Sequence, residues 1–332
     1  MAATPQEQPQ ADGAMTKPDL RPMLATLTDQ PFDDSDWIFE TKWDGFRAVA
    51  VTRPGHAQLY SRRGHDISEK YPSICAALAA VKHEVVFDGE LVALDARGRS
   101  RFQLLQNAER NQTHLLYCVF DLLYLDGKDL RDWPLLKRKA TLEAVLPNSK
   151  LLLYSTHVAG DGIKAFKTAA RAGEEGVLAK RAASRYESGK RTRDWLKVKA
   201  SQEQEVVIVG FTAPKGQRRF FGALLLAVRA GKTWKYAGRV GAGFTHASLG
   251  ELHDKLVPLI IDTKPIAEKV PNLAGTTWVK PKLVAQIKFT EWTASGEMRH
   301  PVFLGLRTDK KAAEVSREMP KPLPKAKPRK TK

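Results

Sequence analysis

Apolar and polar residues alternate with period two in two early runs, through Trp37, Phe39 and Thr41 and again from Phe46 to Val51, with Asp44-Gly45 between them. Such alternation turns one face of a strand toward a core, and an Asp-Gly pair is a reversal signal. The pattern therefore predicts two paired strands closed at Asp44-Gly45. Further apolar runs predict strands over 84–94 and 115–123, helices over 138–145 and 163–172, and strands over 175–180 and 195–199. The order is irregular. It lacks the strand–helix rhythm of a doubly wound sheet and predicts an α+β domain with antiparallel sheets. Past 201–203 the character changes, and runs over 206–211, 223–228, 234–240 and 284–290 read as strands. Between the last two, Thr245 is the N-cap of a helix that places Leu249, Leu252 and Leu256 on one face. Many strands, one late helix and glycine-rich turns predict a small Greek-key β-barrel of the oligonucleotide-binding (OB-fold) type, with an unrelated β sandwich as the alternative.

These shifts divide the chain into a polar, disordered N-terminal tail (1–17), an α+β domain (18–203), a barrel (204–314) and a basic, disordered C-terminal tail (315–332). In the last, prolines separate Arg317, Lys321, Lys325, Lys327, Arg329, Lys330 and Lys332. The 332 residues, 42% hydrophobic and 27% charged, suffice for two cores. No apolar run reaches the length of a membrane span and no secretory pattern opens the chain, which points to the cytosol. Cys75 and Cys118 lack metal-ligand spacing and read as buried thiols. The net charge of +17 adds most: a field of that sign draws polyanions, nucleic acid first among them. Charge names a partner, not a reaction.

Candidate chemistry lies in a few stretches. Lys42, just before Asp44-Gly45, would be held beside any ligand lying over the sheet. Its amine can attack phosphorus when nearby cations or a metal keep it partly deprotonated; a solvated lysine at a turn is the plain alternative. Ser61-Arg62-Arg63-Gly64 ends a strand in a basic turn able to aim a guanidinium at phosphate or ribose. In Asp88-Gly89-Glu90 a carboxylate interrupts an apolar run, and a buried Glu90 needs a partner, a hydroxyl or a metal. Phe120 could stack on a base or fill the core. Glu175 and Lys180 bracket a short apolar strand, and Lys197 and Lys199 share one strand face. Their mutual repulsion disappears when an anion lies between them, and a triphosphate is such an anion.

In order, Lys42-Trp43-Asp44-Gly45, Ser61-Arg62-Arg63-Gly64, Asp88-Gly89-Glu90, Phe120-Asp121, Glu175 to Lys180, Lys197-Val198-Lys199 and Arg307-Thr308-Asp309-Lys310 resemble the motifs of the covalent nucleotidyltransferase superfamily. That superfamily contains DNA ligases, RNA ligases and capping enzymes. The resemblance covers roughly 18–311. Arg21 to Ala25, Trp133 to Arg138, Arg299-His300-Pro301 and Phe303 to Arg307 look most like the ligase module of the bacterial end-joining LigD ligases. Gln286 and Thr308 depart from that group, where glutamate is usual; the loss of a local salt bridge is the expected consequence.

The resemblance implies an ATP-dependent DNA ligase. Lys42 would attack the α-phosphorus of ATP and carry AMP, its pKa depressed by Lys197, Lys199 and a divalent cation (Mg²⁺ or Mn²⁺) held near Glu90 and Glu175. Phe120 would stack on adenine, with Glu40 and Thr41 at the base edge and Lys180 also in the nucleotide pocket. Arg47, Arg62, Arg191, Lys197 and Lys199 would hold ribose and phosphates. Arg307, Asp309 and Lys310 would orient pyrophosphate when the barrel closes. The barrel would then swing away on a hinge at 201–203 to admit nicked or broken duplex DNA, with Lys215, Arg218 and Arg219 on its backbone. The protein is expected to act as a monomer, with the end-binding protein Ku and separate polymerase or phosphoesterase modules as helpers. An RNA ligase, a capping-type guanylyltransferase, or a nucleic-acid-binding protein with a degenerate pocket are the rival readings.

Overall fold

The computed structural model describes residues 19–323 apart from 103, 106–114, 201, 215, 217, 269 and 271–274. Two sheets precede residue 200. The first runs Leu24–Thr28, Arg191–Lys199, Gly176–Arg181, Asp34–Thr41, His157–Gly160, parallel only at its first pair. The second runs His56–Ser61, Phe46–Arg53, Val85–Ala93, Leu115–Leu125, Lys128–Asp129, and Leu152–Tyr154 joins Leu115–Leu125 in parallel. The rest is antiparallel, as expected of an α+β unit.

Alternation explains how the second sheet serves two cores. Phe46, Ala48, Ala50, Phe87 and Leu91 point to one side, where Ile74 and Leu78 of the helix Pro72–Ala79 cover them. Val49, Val86, Phe120 and Leu123 point to the other and meet Trp195 of the first sheet together with Met23 and Tyr186. A fully buried Leu- or Phe-sized side chain stabilises by about 1.5–3 kcal/mol, so the first face anchors the helix and the second holds the two sheets face to face. The helix Gly162–Ala172 covers the outer face of the first sheet through Ala165, Phe166 and Ala169, and ends at Gly173, whose φ of 74° is the left-handed C-cap that glycine favours.

Asp44-Gly45 does not close a hairpin. Asp34–Thr41 pairs with Gly176–Arg181 and His157–Gly160, whereas Phe46–Arg53 pairs with His56–Ser61 and Val85–Ala93. Residues 42–45 are therefore the crossover between two sheets. Gly45 is needed for space rather than for a turn: a Cβ there would lie 2.0 Å from the Leu91 carbonyl oxygen. Helix Leu135–Val145 begins earlier than the expected 138, and the helix Pro72–Ala79 and several short strands carried too little periodicity to be predicted.

The third sheet is the barrel. It runs Thr233–Val240, Leu224–Ala230, Gln202–Thr212, Thr276–Val279, Ile260–Ile261, and Val284–Phe289 pairs with both Gln202–Thr212 and Val302–Leu306. A bridge between Ala242 and Val302 brings its two ends together. Helix His246–Leu256 starts with a reciprocal Thr245–Ser248 capping box and plugs the barrel with Leu249, Leu252 and Leu256. Gln202 and Glu203, expected in a hinge, already belong to a barrel strand; Ser201 lies outside the described residues.

The expectation of disorder from 315 onward fails for 315–323. Val315 is buried, and its carbonyl accepts from the Arg229 N–H at 2.8 Å. Farther on, the Lys321 N–H donates to the Leu27 carbonyl at 3.0 Å, and Leu323 packs beside Trp37 and Phe39. The N-terminal tail and the basic residues from Lys325 on lie outside the described residues.

Candidate active site

Lys42 stands at the sheet crossover, its N–H bonded to the Gly176 carbonyl at 3.0 Å. Asp44 anchors the crossover: its N–H donates to Ser100 Oγ at 3.0 Å and its carboxylate accepts from the Phe102 N–H at 3.0 Å. Lys42 opens into a cavity of about 520 Å³, within the range of ligand pockets. Both parts of the chain line it. The two sheets supply Arg47, Arg62, Glu90, Glu175, Arg191, Lys197 and Lys199, and the barrel supplies Glu205, Gln286, Arg307, Asp309 and Lys310.

The barrel is docked on the two sheets. Arg307 makes a bidentate pair with Asp309, both bonds 2.8 Å, and lies over the ring of Phe102 at 4.7 Å. Lys310 pairs with Glu205 at 3.0 Å, and Arg63 meets Glu314 at 3.5 Å. Burial and then Lys310 and Arg307 act in opposite directions on Glu205, and the cations win, holding it below the usual carboxylate range. Gln286, at the cavity wall, donates its amide to the Glu203 carboxylate at 3.1 Å, a bond that an ionised glutamate at 286 could not make.

Among the protein's own groups, Lys42 is held as the ammonium. Burial disfavours its ammonium, but a close ion pair with Glu175, backed by Asp44 and Glu90, outweighs burial and raises the pKa above its ordinary value. The nearest charge decides, and that is Glu175. Lys197 and Lys199 lie on one strand face as predicted, yet an anion already bridges them: Glu318 accepts from Lys197 at 2.5 Å and from Lys199 at 2.9 Å. Burial and Lys199 lower Lys197 to about 8 despite that partner, while Glu318, with two cations facing it, overcomes its own burial and falls to about 2.

Of the residues assigned to the base, Glu40 and Phe120 are buried and Thr41 is half-buried. Glu40 is 2% exposed and shared between Lys139 and Lys180, each at 2.8 Å, with Lys139 also donating to the Ser155 carbonyl at 2.8 Å. Thr41 is a paired sheet residue opposite Val177. Phe120 is 2% exposed, with Arg47 and Lys180 over its ring at 4.5 and 4.3 Å. Arg47 in turn grips the buried Asp88 through bonds of 2.5 and 2.6 Å, and Tyr186 donates to the same carboxylate at 2.6 Å. Asp88, Lys139, Tyr186 and Glu318 were not assigned a role from the sequence. Asp88 sits within a quoted motif, and Glu318 is the one carboxylate in the basic tail.

A divalent cation finds no cage, since no group of three or more His, Cys, Asp or Glu side chains forms among the described residues. Mg²⁺ needs none, because one or two carboxylates plus substrate phosphates suffice. Glu90 and Glu175 fit that role. Burial pushes Glu90 up to about 7 even with Arg47 and Lys42 near it, the behaviour of a carboxylate short of positive charge. On the barrel, the Arg218 guanidinium donates to the Gly241 carbonyl at 2.8 Å, Arg219 is exposed, and Lys215 lies outside the described residues.

Residues 22–199 match the ATP dependent DNA ligase domain and residues 217–310 the ATP dependent DNA ligase C terminal region. The multifunctional non-homologous end joining protein LigD of Pseudomonas aeruginosa is 41% identical over 330 residues, 96% of this chain and 39% of that protein. The LigD of Mycobacterium tuberculosis is 41% identical over 304 residues, 90% of this chain and 40% of its own length. The chain thus spans about two fifths of these relatives. The solved structure of mycobacterial DNA ligase D complexed with ATP and MES superposes with a TM-score of 0.71 at 40% identity, covering 90% of this chain and 99% of that one. With the lysine at a sheet crossover, the barrel docked above it and both halves matched, the chain belongs to the ATP-dependent DNA ligase family.

Proposed function

We propose that this chain seals 5′-phosphate/3′-hydroxyl breaks in duplex DNA through a lysine–AMP intermediate on Lys42. One observation carries the reading: Lys42 shares a single cavity with cations from the sheets (Lys197, Lys199) and from the barrel (Arg307, Lys310). Such an arrangement surrounds a triphosphate with fixed positive charge, which stabilises the charge that builds as pyrophosphate leaves. Lys42 attacks as the free amine, so its ion pair with Glu175 is a contact that substrate binding must loosen. In the attack the Nζ–P bond forms, the bond to the leaving pyrophosphate breaks, and Nζ loses its proton. A divalent cation held by Glu90 and Glu175 would supply further neutralisation of the phosphates. The DNA 5′-phosphate next takes AMP from Lys42, and the 3′-hydroxyl then displaces AMP.

For the DNA steps the docked barrel has to move off the cavity, and the junction after residue 200 is where the chain passes from sheet to barrel. Arg218 and Arg219 would then meet phosphates without reading sequence. End joining is proposed because the relatives carry non-homologous end joining in their names, with Ku and separate polymerase or phosphoesterase modules proposed as helpers. A cytosolic site is proposed as well; no described helix is long and apolar enough to cross a membrane.

The test strips any bound AMP with pyrophosphate, then offers α-labelled ATP or GTP with Mg²⁺. Label from ATP alone, absent in Lys42→Ala and chased onto nicked duplex DNA, is the expected result. Label from GTP would indicate a capping activity, and label retained by Lys42→Ala would refute the lysine assignment.

A further inference from the structure

Residues 315–319 and Lys321 line the cavity, in a strap, 315–323, that reaches from the barrel to the first sheet. The strap is tied at both ends. On the barrel side Val315 is buried against Val207 and Val284, and the Gln204 amide grips the chain from both directions, donating to the Ser316 carbonyl at 3.1 Å and accepting from the Glu318 N–H at 2.9 Å. On the sheet side Lys321 bonds the Leu27 carbonyl, Arg193 donates to the Pro322 carbonyl, and Leu323 rests by Trp37 and Phe39. Between these ties Glu318 is inserted between Lys197 and Lys199.

We infer that Glu318 is an internal competitor for the phosphate subsite, and that a polyphosphate enters only when the strap lifts. This rests on the reading above, in which Lys197 and Lys199 hold substrate phosphate. Two lysines on one strand face can neutralise one anionic group between them. A carboxylate left beside an arriving phosphate would add like-charge repulsion at a few ångströms in a partly dry cavity, so the two anions exclude each other. Besides the Glu318 ion pairs that phosphate would replace, the ties are a handful of hydrogen bonds, two small apolar contacts and Arg317 over the Trp292 ring at 4.5 Å, which local opening can break without disturbing either core. The tail thereby keeps the cation pair satisfied while the site waits for substrate, and it raises the concentration of triphosphate needed to fill the site.

The test titrates the AMP-stripped full chain with inorganic tripolyphosphate by calorimetry, comparing wild type with Glu318→Gln and Glu318→Ala. Both variants should bind tighter by about tenfold, the size expected for losing one partly exposed anion between two cations. In the wild type, tripolyphosphate should speed tryptic cleavage after Arg317, read by mass spectrometry. Equal affinities, loss of binding in the variants, binding to none of the three proteins, or protection of the Arg317–Glu318 bond would each overturn the inference. Matching melting temperatures of wild type and variants separate competition from misfolding, and two substitutions guard against one behaving poorly. Lysine labelling by ATP is scored separately: its absence would sink the ligase reading, while the tripolyphosphate comparison would still decide the strap.

Discussion

Glu40→Gln removes one charge and almost no volume from a fully enclosed ionic cluster. Lys139 and Lys180 each bond this carboxylate at 2.8 Å, and all three side chains are at most 1% exposed. In the wild type burial opposes every charge, yet Glu40 stays below its usual value through Lys180 and Lys139, and Lys139 is held above its own by Glu40. The variant leaves two buried ammoniums facing an amide. Removing one partner of a buried ionic group costs about 3–5 kcal/mol. A lysine can escape by shedding its proton, which at pH 7 costs about 4.6 kcal/mol from a reference near 10.4 and sets a ceiling for each. That ceiling drops by about 1.4 kcal/mol per pH unit. The sign follows from proton counting. A lysine whose folded value is depressed binds fewer protons than in the unfolded chain up to the reference value, so the variant gains stability as pH rises through that window. Urea unfolding of the AMP-stripped chain, followed by tryptophan fluorescence, is the assay; Trp37 and Trp195 lie in the same sheet as Glu40. The loss should be about 3–5 kcal/mol near pH 7 and about 2 kcal/mol smaller near pH 8.5. A loss under about 1 kcal/mol at the lower pH, or the same loss at both, would refute the reasoning.

Three further outcomes are expected. Tyr186→Phe removes the hydroxyl that joins Asp88 to the Met23 N–H, and should cost about 1–3 kcal/mol in the same unfolding assay because both buried partners lose a bond. Arg307→Ala deletes one of the two barrel cations that face the Lys42 cavity, Lys310 being the other. Labelling of Lys42 by ATP should fall by roughly a hundredfold or more, while sealing of a nick that already carries AMP should change by less than about tenfold; equal losses in both would refute a role specific to the first step. Replacing Arg218 and Arg219 by alanine should weaken DNA binding alike for all sequences and flatten the log–log salt slope by roughly one to two, measured by fluorescence anisotropy. An unchanged slope would move the DNA contact elsewhere.

The sequence by itself determined what depends on near neighbours. Period two placed Lys197 and Lys199 on one face, Thr245 capped its helix, the shift near 201 separated sheets from barrel, and the ordered motifs named the chemistry. Only the tertiary structure decided what depends on distant partners. Asp44-Gly45 has the composition of a hairpin turn, but Asp34–Thr41 finds its neighbour at Gly176–Arg181, and a reversal signal carries no record of which strand will answer it. Lys42 was expected to be destabilised as a cation by two lysines together with a divalent cation; among the protein's own groups Glu175 makes the direct contact, and at contact distance the nearest charge dominates. The same holds for the tail. Its composition is basic and proline-rich, which locally means disorder, yet Glu318 meets a pair of lysines about 120 residues earlier in the chain that no window around 318 could contain. Periodicity and capping are written within a few residues, whereas ion pairing is settled by whichever opposite charges the folded chain brings within a few ångströms.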